Sequence, residues 1–240
     1  MMLDEIAYRN KNLGYFLFET MRAERNSEGV LSLVRDPFHR KRLQKSMEAL
    51  RWPNRIDGTP FDSWWESRHS QIPHFEGSCS AVVLRVIPSN AHCVSEWSVR
   101  LIQAYPECLS LRFHACAYRH SKNEFLQFKT GSWGQNLHFL SRSDRDWDDV
   151  IFVNERDEVC ETARSNLYLL RGNEIVTPPV ESGVLPGTVR QEYLERSWLE
   201  VDKIRFPLRV ATIHKEELDS TSRLWVSNAL MGFRPAQMLE

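Results

Sequence analysis

Apolar residues recur at two spacings along this chain, and the switches between them mark out its elements. Residues 15–22 are rich in aromatic and branched side chains and read as a strand, with Phe16, Phe18, Thr20 and Arg22 on one face. Asp36-Pro37 then opens a helix in which Phe38, Leu43, Met47 and Leu50 recur at helical spacing, and Pro53 limits it. Residues 53–78 mix Pro, Asp and Gly with the anchors Phe61, Trp64 and Trp65, which predicts one more short helix. Residues 81–87 form an unbroken apolar run and 109–116 alternate, so both are predicted strands. The polar, aperiodic stretch 119–124 reads as a linker between domains of residues 1–121 and 122–240. Beyond it come a helix at 133–140, strands at 149–153 and 166–170, a helix at 188–199 opened by Pro186-Gly187, and a strand at 223–227. Short strands alternating with helices, with no repeat period, give an α/β or α+β class.

Composition narrows the function classes. The 240 residues are 42% hydrophobic, enough for real cores, and 31 basic against 32 acidic side chains leave a net charge of −1. That balance argues against a nucleic-acid partner or an anionic membrane surface. Five scattered cysteines without a C-x-x-C pair read as reduced thiols rather than disulfides or a zinc site. The acidic start Met1-Met2-Leu3-Asp4-Glu5 shows no secretory signal, and no apolar run reaches membrane-spanning length, so a cytoplasmic protein is expected. Eight tryptophans lie along the chain without a basic stripe and read as core or dimer contacts. His114, His120 and His138 have no metal-ligand spacing, and no metal is expected.

Three runs carry candidate chemistry. Lys129 ends the approach Phe125-Leu126-Gln127-Phe128 and precedes Thr130. A lone lysine is ordinarily a solvated surface charge. One held at a domain edge and partly desolvated is a better amine nucleophile. Glu161 stands five residues before Asn166 in Glu161-Thr-Ala-Arg-Ser165-Asn166-Leu-Tyr, and Leu185-Pro186-Gly187-Thr188-Val189-Arg190 opens a helix. An ordinary Pro-Gly turn explains the last run as well as an anion site does, although helix N-termini do bind phosphate. An amine, a carboxylate and a phosphate-binding helix end are together what pyridoxal phosphate requires.

In order and spacing these runs resemble the class IV (fold type IV) pyridoxal-phosphate enzymes, which include branched-chain and D-amino-acid aminotransferases and aminodeoxychorismate lyase. Lys129-Thr130 matches the family's "K-T" run, although Ser132 and Trp133 stand where Asn and then Tyr or Arg are common. Glu161 to Asn166 resembles "E-x-x-x-S-N-I-F", His39-Arg40-Lys41-Arg42-Leu43 to Ser46 resembles "H-x-x-R-L-x-x-S", and 185–190 resembles "L-P-G-I-T-R". The resemblance implies Lys129 as the cofactor-linking and catalytic lysine, Glu161 on the ring nitrogen, and Arg42 with Gly187, Thr188 and Val189 on the phosphate. It places Asn228 and Ala229 in a turn that also holds phosphate, with Leu230 toward the substrate. Phe18 becomes a pocket wall, Arg22 a substrate residue, and Thr20 a partner of the lysine in proton handling. It further implies a small N-terminal α/β domain, a larger C-terminal domain whose first strand carries Lys129, a cofactor cleft between them, and a homodimer. Thr20 and Asn228-Ala229-Leu230, where aminotransferases usually carry threonine in place of Ala229, favour the lyase. An aminotransferase remains open, as does a cofactor-free pseudoenzyme or binding protein of the same fold.

Overall fold

The computed structural model describes residues 5–142 and 145–239. The chain divides into two compact units, Met1–Gln103 with Phe128–Ser132, and Ala104–Gln127 with Trp133–Glu240.

The first unit runs α1 (Glu5–Asn12), β1 (Leu17–Arg25), β2 (Leu31–Leu33), α2 (Asp36–Ala49), β3 (Arg55–Ile56), β4 (Thr59–Pro60), α3 (Phe61–Ser67), β5 (Cys79–Pro88) and β6 (Cys93–Arg100). Its sheet has the order β2-β1-β5-β6-β3-β4, with β1 antiparallel to β5 and Thr20 opposite Val83. Period-two alternation is strict on β1: Leu17, Glu19, Met21 and Ala23 are buried, while Phe18, Thr20 and Arg22 are half-buried on the other face. The buried face packs on Leu43 and Met47 of α2 and on Phe61, Trp64 and Trp65 of α3. Each such side chain contributes roughly 1.5–3 kcal/mol by leaving water. Trp64 and Trp65 are thus core residues.

Phe128–Ser132 lies along the start of β1 in this same unit. Phe18 N–H donates to the Lys129 carbonyl at 2.8 Å, Gly131 N–H donates to the Phe16 carbonyl at 3.0 Å, and Leu17 bridges Thr130. A Cβ on Gly131 would stand 2.3 Å from the Phe16 ring, so only glycine permits this approach.

The second unit contains β7 (Leu109–Tyr118), α4 (Gly134–Leu140), β8 (Asp149–Val153), β9 (Val159–Thr162), β10 (Asn166–Arg171), β11 (Glu174–Thr177), α5 (Thr188–Arg196), β12 (Trp198–Val201), β13 (Ile204–Val210), β14 (Leu224–Asn228) and β15 (Gly232–Met238). Its sheet order is β12-β13-β11-β10-β14-β15-β7-β8-β9. The core holds Leu109, Leu111, Ile151, Leu167, Val176 and Val226.

Several expectations need correcting. The division falls after Gln103 rather than at 121, because β7 pairs with β8 and β15 and so belongs to the second sheet. Lys129 lies not on a strand of the C-terminal unit but on the segment bonded to β1 in the first. The 119–124 stretch is no bare linker, since Arg119 is buried. The helix expected over 188–199 stops at Arg196: Ser197 takes a left-handed φ of 64°, and β12 follows. Strands β2, β3, β4, β6, β9, β11, β12, β13 and β15, and helix α1, had no assignment. Among the described residues, no helix is long and apolar enough to cross a membrane, and no group of three or more His, Cys, Asp or Glu could hold a metal ion.

Candidate active site

In the first unit the alternation of β1 sends neighbouring residues to opposite tasks. On the half-buried face, the Phe18 ring lies under Lys129, whose Nζ is 4.2 Å from the ring centroid. This contact is attractive for an ammonium and fixes where the amine sits. Thr20 shares that face. Arg22, also on it, pairs with Glu24 at 2.6 Å in a partly exposed contact. Such a pair contributes under about 1 kcal/mol and gives way readily to an anionic ligand.

The core face of β1 carries Glu19, only 1% exposed. His39 of α2 donates from Nδ1 to Glu19 Oε2 at 2.6 Å, Arg42 donates from Nε to Oε1 at 2.9 Å, and Arg42 Nη2 also meets Oε2. Helical spacing puts His39 and Arg42 within one turn, both toward β1. Burial alone would raise the Glu19 carboxyl. The Arg42 charge and the hydrogen bonds from His39 and Arg42 outweigh it and hold the group down at about 2. Burial pushes His39 down, so the ring is neutral and serves as a hydrogen-bond donor. Arg42, with its side chain 9% exposed and oriented by a two-point contact, differs from Arg40, which reaches outward to Asp62 and Glu66.

The second unit places the other residues. Glu161 on β9 is 5% exposed. Arg119 Nη1 donates to its Oε1 at 2.5 Å and Asn166 Nδ2 donates to its Oε2 at 2.8 Å. The turn between β9 and β10 is fixed by buried Asp149, which accepts from Thr162 Oγ1 at 2.8 Å and from Ala163 N–H at 3.0 Å. Asn166 also donates to the Leu185 carbonyl at 2.9 Å, and a Cβ on Gly187 would stand 2.0 Å from Asn166 Oδ1. Glycine at 187 therefore lets the Leu185-Pro186-Gly187 segment close onto Asn166. Gly187 is the N-cap of α5 and no side chain caps that end; Thr188 and Val189 are buried in its first turn. This leaves the positive end of the helix to an anion. Asn228 closes the turn after β14, its Oδ1 accepting from Leu230 and Met231 N–H at 3.0 Å each and its Nδ2 donating to Ser165 Oγ at 3.2 Å. Ala229 is half-buried at the tip. Leu230, which the resemblance placed toward the substrate, thus commits its N–H to Asn228.

The amino-transferase class IV family matches residues 16–239. The chain belongs to the class IV amino-transferase family. Its members are pyridoxal-phosphate-dependent enzymes, and the fold agrees. The structure is similar to a Mesorhizobium loti protein provisionally named as an amino-acid aminotransferase (TM-score 0.74, 24% identity, covering 93% of this chain and 99% of that one). It is similar also to a Legionella pneumophila protein provisionally named 4-amino-4-deoxychorismate lyase (TM-score 0.75, 21% identity, 96% and 85%). A Thermotoga maritima protein provisionally named branched-chain-amino-acid aminotransferase is 24% identical over 91 residues, 38% of this chain and 32% of its own. That match spans about a third of the curated relative's length.

In chemistry the residues of each unit suit the class IV cofactor: the first supplies a half-buried amine and an oriented arginine, the second a buried hydrogen-bonded carboxylate and a helix N-terminus without a side-chain cap. Four residues of this arrangement had been given no role from sequence. Glu19 and His39 lie on apolar faces, at strand spacing from Leu17 and Met21 and at helical spacing from Leu43, which could have marked them. Asn166 stood inside a recognised run. Arg119 carried no signal, since its polar neighbours hide it.

Proposed function

We propose that this chain is a pyridoxal-phosphate-dependent 4-amino-4-deoxychorismate lyase that releases pyruvate and 4-aminobenzoate. When bound, the cofactor supplies an electron sink beside the amine-bearing carbon. Lys129 Nζ takes the proton from that carbon, and Thr20, on the same face of β1 as Phe18, relays it. Glu161 holds the proton on the ring nitrogen. Arg42, the first turn of α5 (Gly187, Thr188 and Val189) and the turn of Asn228 and Ala229 hold the phosphate. Phe18, Arg22 and Leu230 bound the substrate, with Arg22 exchanging Glu24 for a substrate carboxylate. The chain works as a homodimer.

The observation that carries the lyase reading is the Asn228-Ala229-Leu230 turn, in which a methyl group stands where aminotransferases usually carry a hydroxyl. Supplied with aminodeoxychorismate, the protein should release pyruvate and 4-aminobenzoate without any oxo-acid. Thr20→Val should slow release while the cofactor stays bound. The second reading is a class IV aminotransferase, favoured by the name of the Thermotoga maritima relative. It wins if an ordinary amino acid converts the protein to a stable pyridoxamine form that only an oxo-acid restores.

A further inference from the structure

We infer that Arg119 is a positioning residue that keeps Glu161 ionised and aimed, and so sets how tightly the ring nitrogen of the cofactor keeps its proton; this rests on the role proposed for Glu161 above. Arg119 is 6% exposed and Glu161 5%. A carboxylate so buried with no cation beside it would take up a proton rather than stay charged. Arg119 Nη1, 2.5 Å from Oε1, supplies the cation. The guanidinium is itself fixed, lying 4.4 Å over the Phe152 ring and donating to the Gly183 carbonyl at 3.0 Å.

Arg119 and Asn166, each bonded to Glu161, tie to one short stretch of chain. Arg119 holds Gly183 and Asn166 holds Leu185, the residues that lead into α5. The aim of the carboxylate and the placing of the helix N-terminus are therefore set together. The same positive charge has a second effect. A proton held beyond Glu161 feels the carboxylate and the arginine at once, so it is bound less tightly than by a carboxylate alone.

The other titratable groups near Glu161 do not substitute for Arg119. Cys160, next on β9, donates to the Ser182 carbonyl and is pushed up to about 12 by burial, so it stays a neutral thiol. Glu158, just before β9, is occupied by Arg156, Asn154 and Ser182. Arg190 of α5 feels the Glu161 charge but donates to Thr177 and to the Pro178 carbonyl.

The test has a cofactor-free and a cofactor-loaded arm. Without cofactor, Arg119→Gln should lose roughly 10 °C in Tm at about pH 8, because a buried carboxylate is left unpaired. Its folded-state pKa then lies above the unfolded value, so the loss must narrow as pH falls toward about 5 and Glu161 protonates. Arg119→Lys should restore much of the stability, and adding Glu161→Gln to Arg119→Gln should do the same. A loss equal at both pH values and unrelieved by Glu161→Gln would mean that Arg119 only fills space, and would overturn the inference. With ¹⁵N-labelled pyridoxal phosphate bound, Arg119→Gln should raise the pKa of the ring nitrogen by about one unit or more. If that pKa is unmoved by Arg119→Gln but falls with Glu161→Gln, the tuning role is refuted while the role of Glu161 stands. If neither variant moves it, or no cofactor binds, the reading of Glu161 fails as well.

Discussion

In each unit a buried carboxylate of the candidate site, Glu19 or Glu161, pairs with an arginine, and the two pairs are built differently. In the first unit Arg42 grips Glu19 at both oxygens and His39 adds a third donor; in the proposed reading the carboxylate is the anchor and the arginine the group put to use. In the second unit Arg119 touches one oxygen of Glu161 and Asn166 the other, while Arg119 is tied down by Gly183 and Phe152. In the proposed reading the arginine there is the anchor and the carboxylate the group put to use. On that reading two ion pairs of similar burial serve opposite ends. What separates them is which partner the surrounding bonds immobilise, and the charge on each pair does not reveal it.

The comparison is most severely tested through Glu19. Lowering its carboxyl from 4.5 to about 2 corresponds to about 3 kcal/mol of folding stability. A depressed carboxylate stabilises above its unfolded value and loses that contribution as pH falls through its folded value. Glu19→Gln should therefore be less stable by about 3 kcal/mol near neutrality, and the deficit should vanish between pH 4.5 and 2. Denaturant midpoints measured across that range check it. A deficit that stays constant with pH would mean that Glu19 is not the acid-sensitive anchor.

Glu161→Gln probes the opposite assignment. The amide should fold and retain cofactor but lose turnover by about 3 kcal/mol or more in the barrier, roughly a hundredfold. Steady-state kinetics reads this directly, and near-normal turnover would take Glu161 out of the chemistry.

A smaller effect is expected at α2. Arg42→Ala should weaken cofactor retention by roughly 1.5–3 kcal/mol, whereas Arg40→Ala and Lys41→Ala should change it little. Arg40 sits among the surface carboxylates Asp62 and Glu66, and Lys41 is exposed. Dialysis of the loaded protein against buffer compares the three. Equal losses would mean that the helix face is merely basic.

Much of the fold was legible where burial is one-sided. β1, α2 and α4 are legible to within two or three residues at each end because one face of each meets a core, and β5 because its apolar run is buried on both faces. β9, β11 and β12 escaped notice because they are four residues long, too short for a period to emerge. The place of Lys129 could not be read from its neighbours. Phe125-Leu126-Gln127-Phe128 looks like a strand leading onward, yet the bonds of Lys129 and Gly131 run back to β1, more than a hundred residues earlier. Of the site, the residues inside recognised runs were legible. Their anchors were given no role: His39 and Asn166 stood inside recognised runs and Glu19 on an apolar strand face, positions that mark them without naming their partners, while Arg119 looks solvated by its neighbours. An anchor is defined by what it touches across the fold, which local pattern does not record.

The central claim is that Lys129 is the amine that bonds the cofactor. Borohydride reduction of the protein loaded with pyridoxal phosphate, followed by peptide mapping, tests it most directly. The account predicts a single reduced adduct on Lys129, absent from Lys129→Ala. An adduct that persists in that variant, or that maps to Lys122 or Lys203, would contradict it.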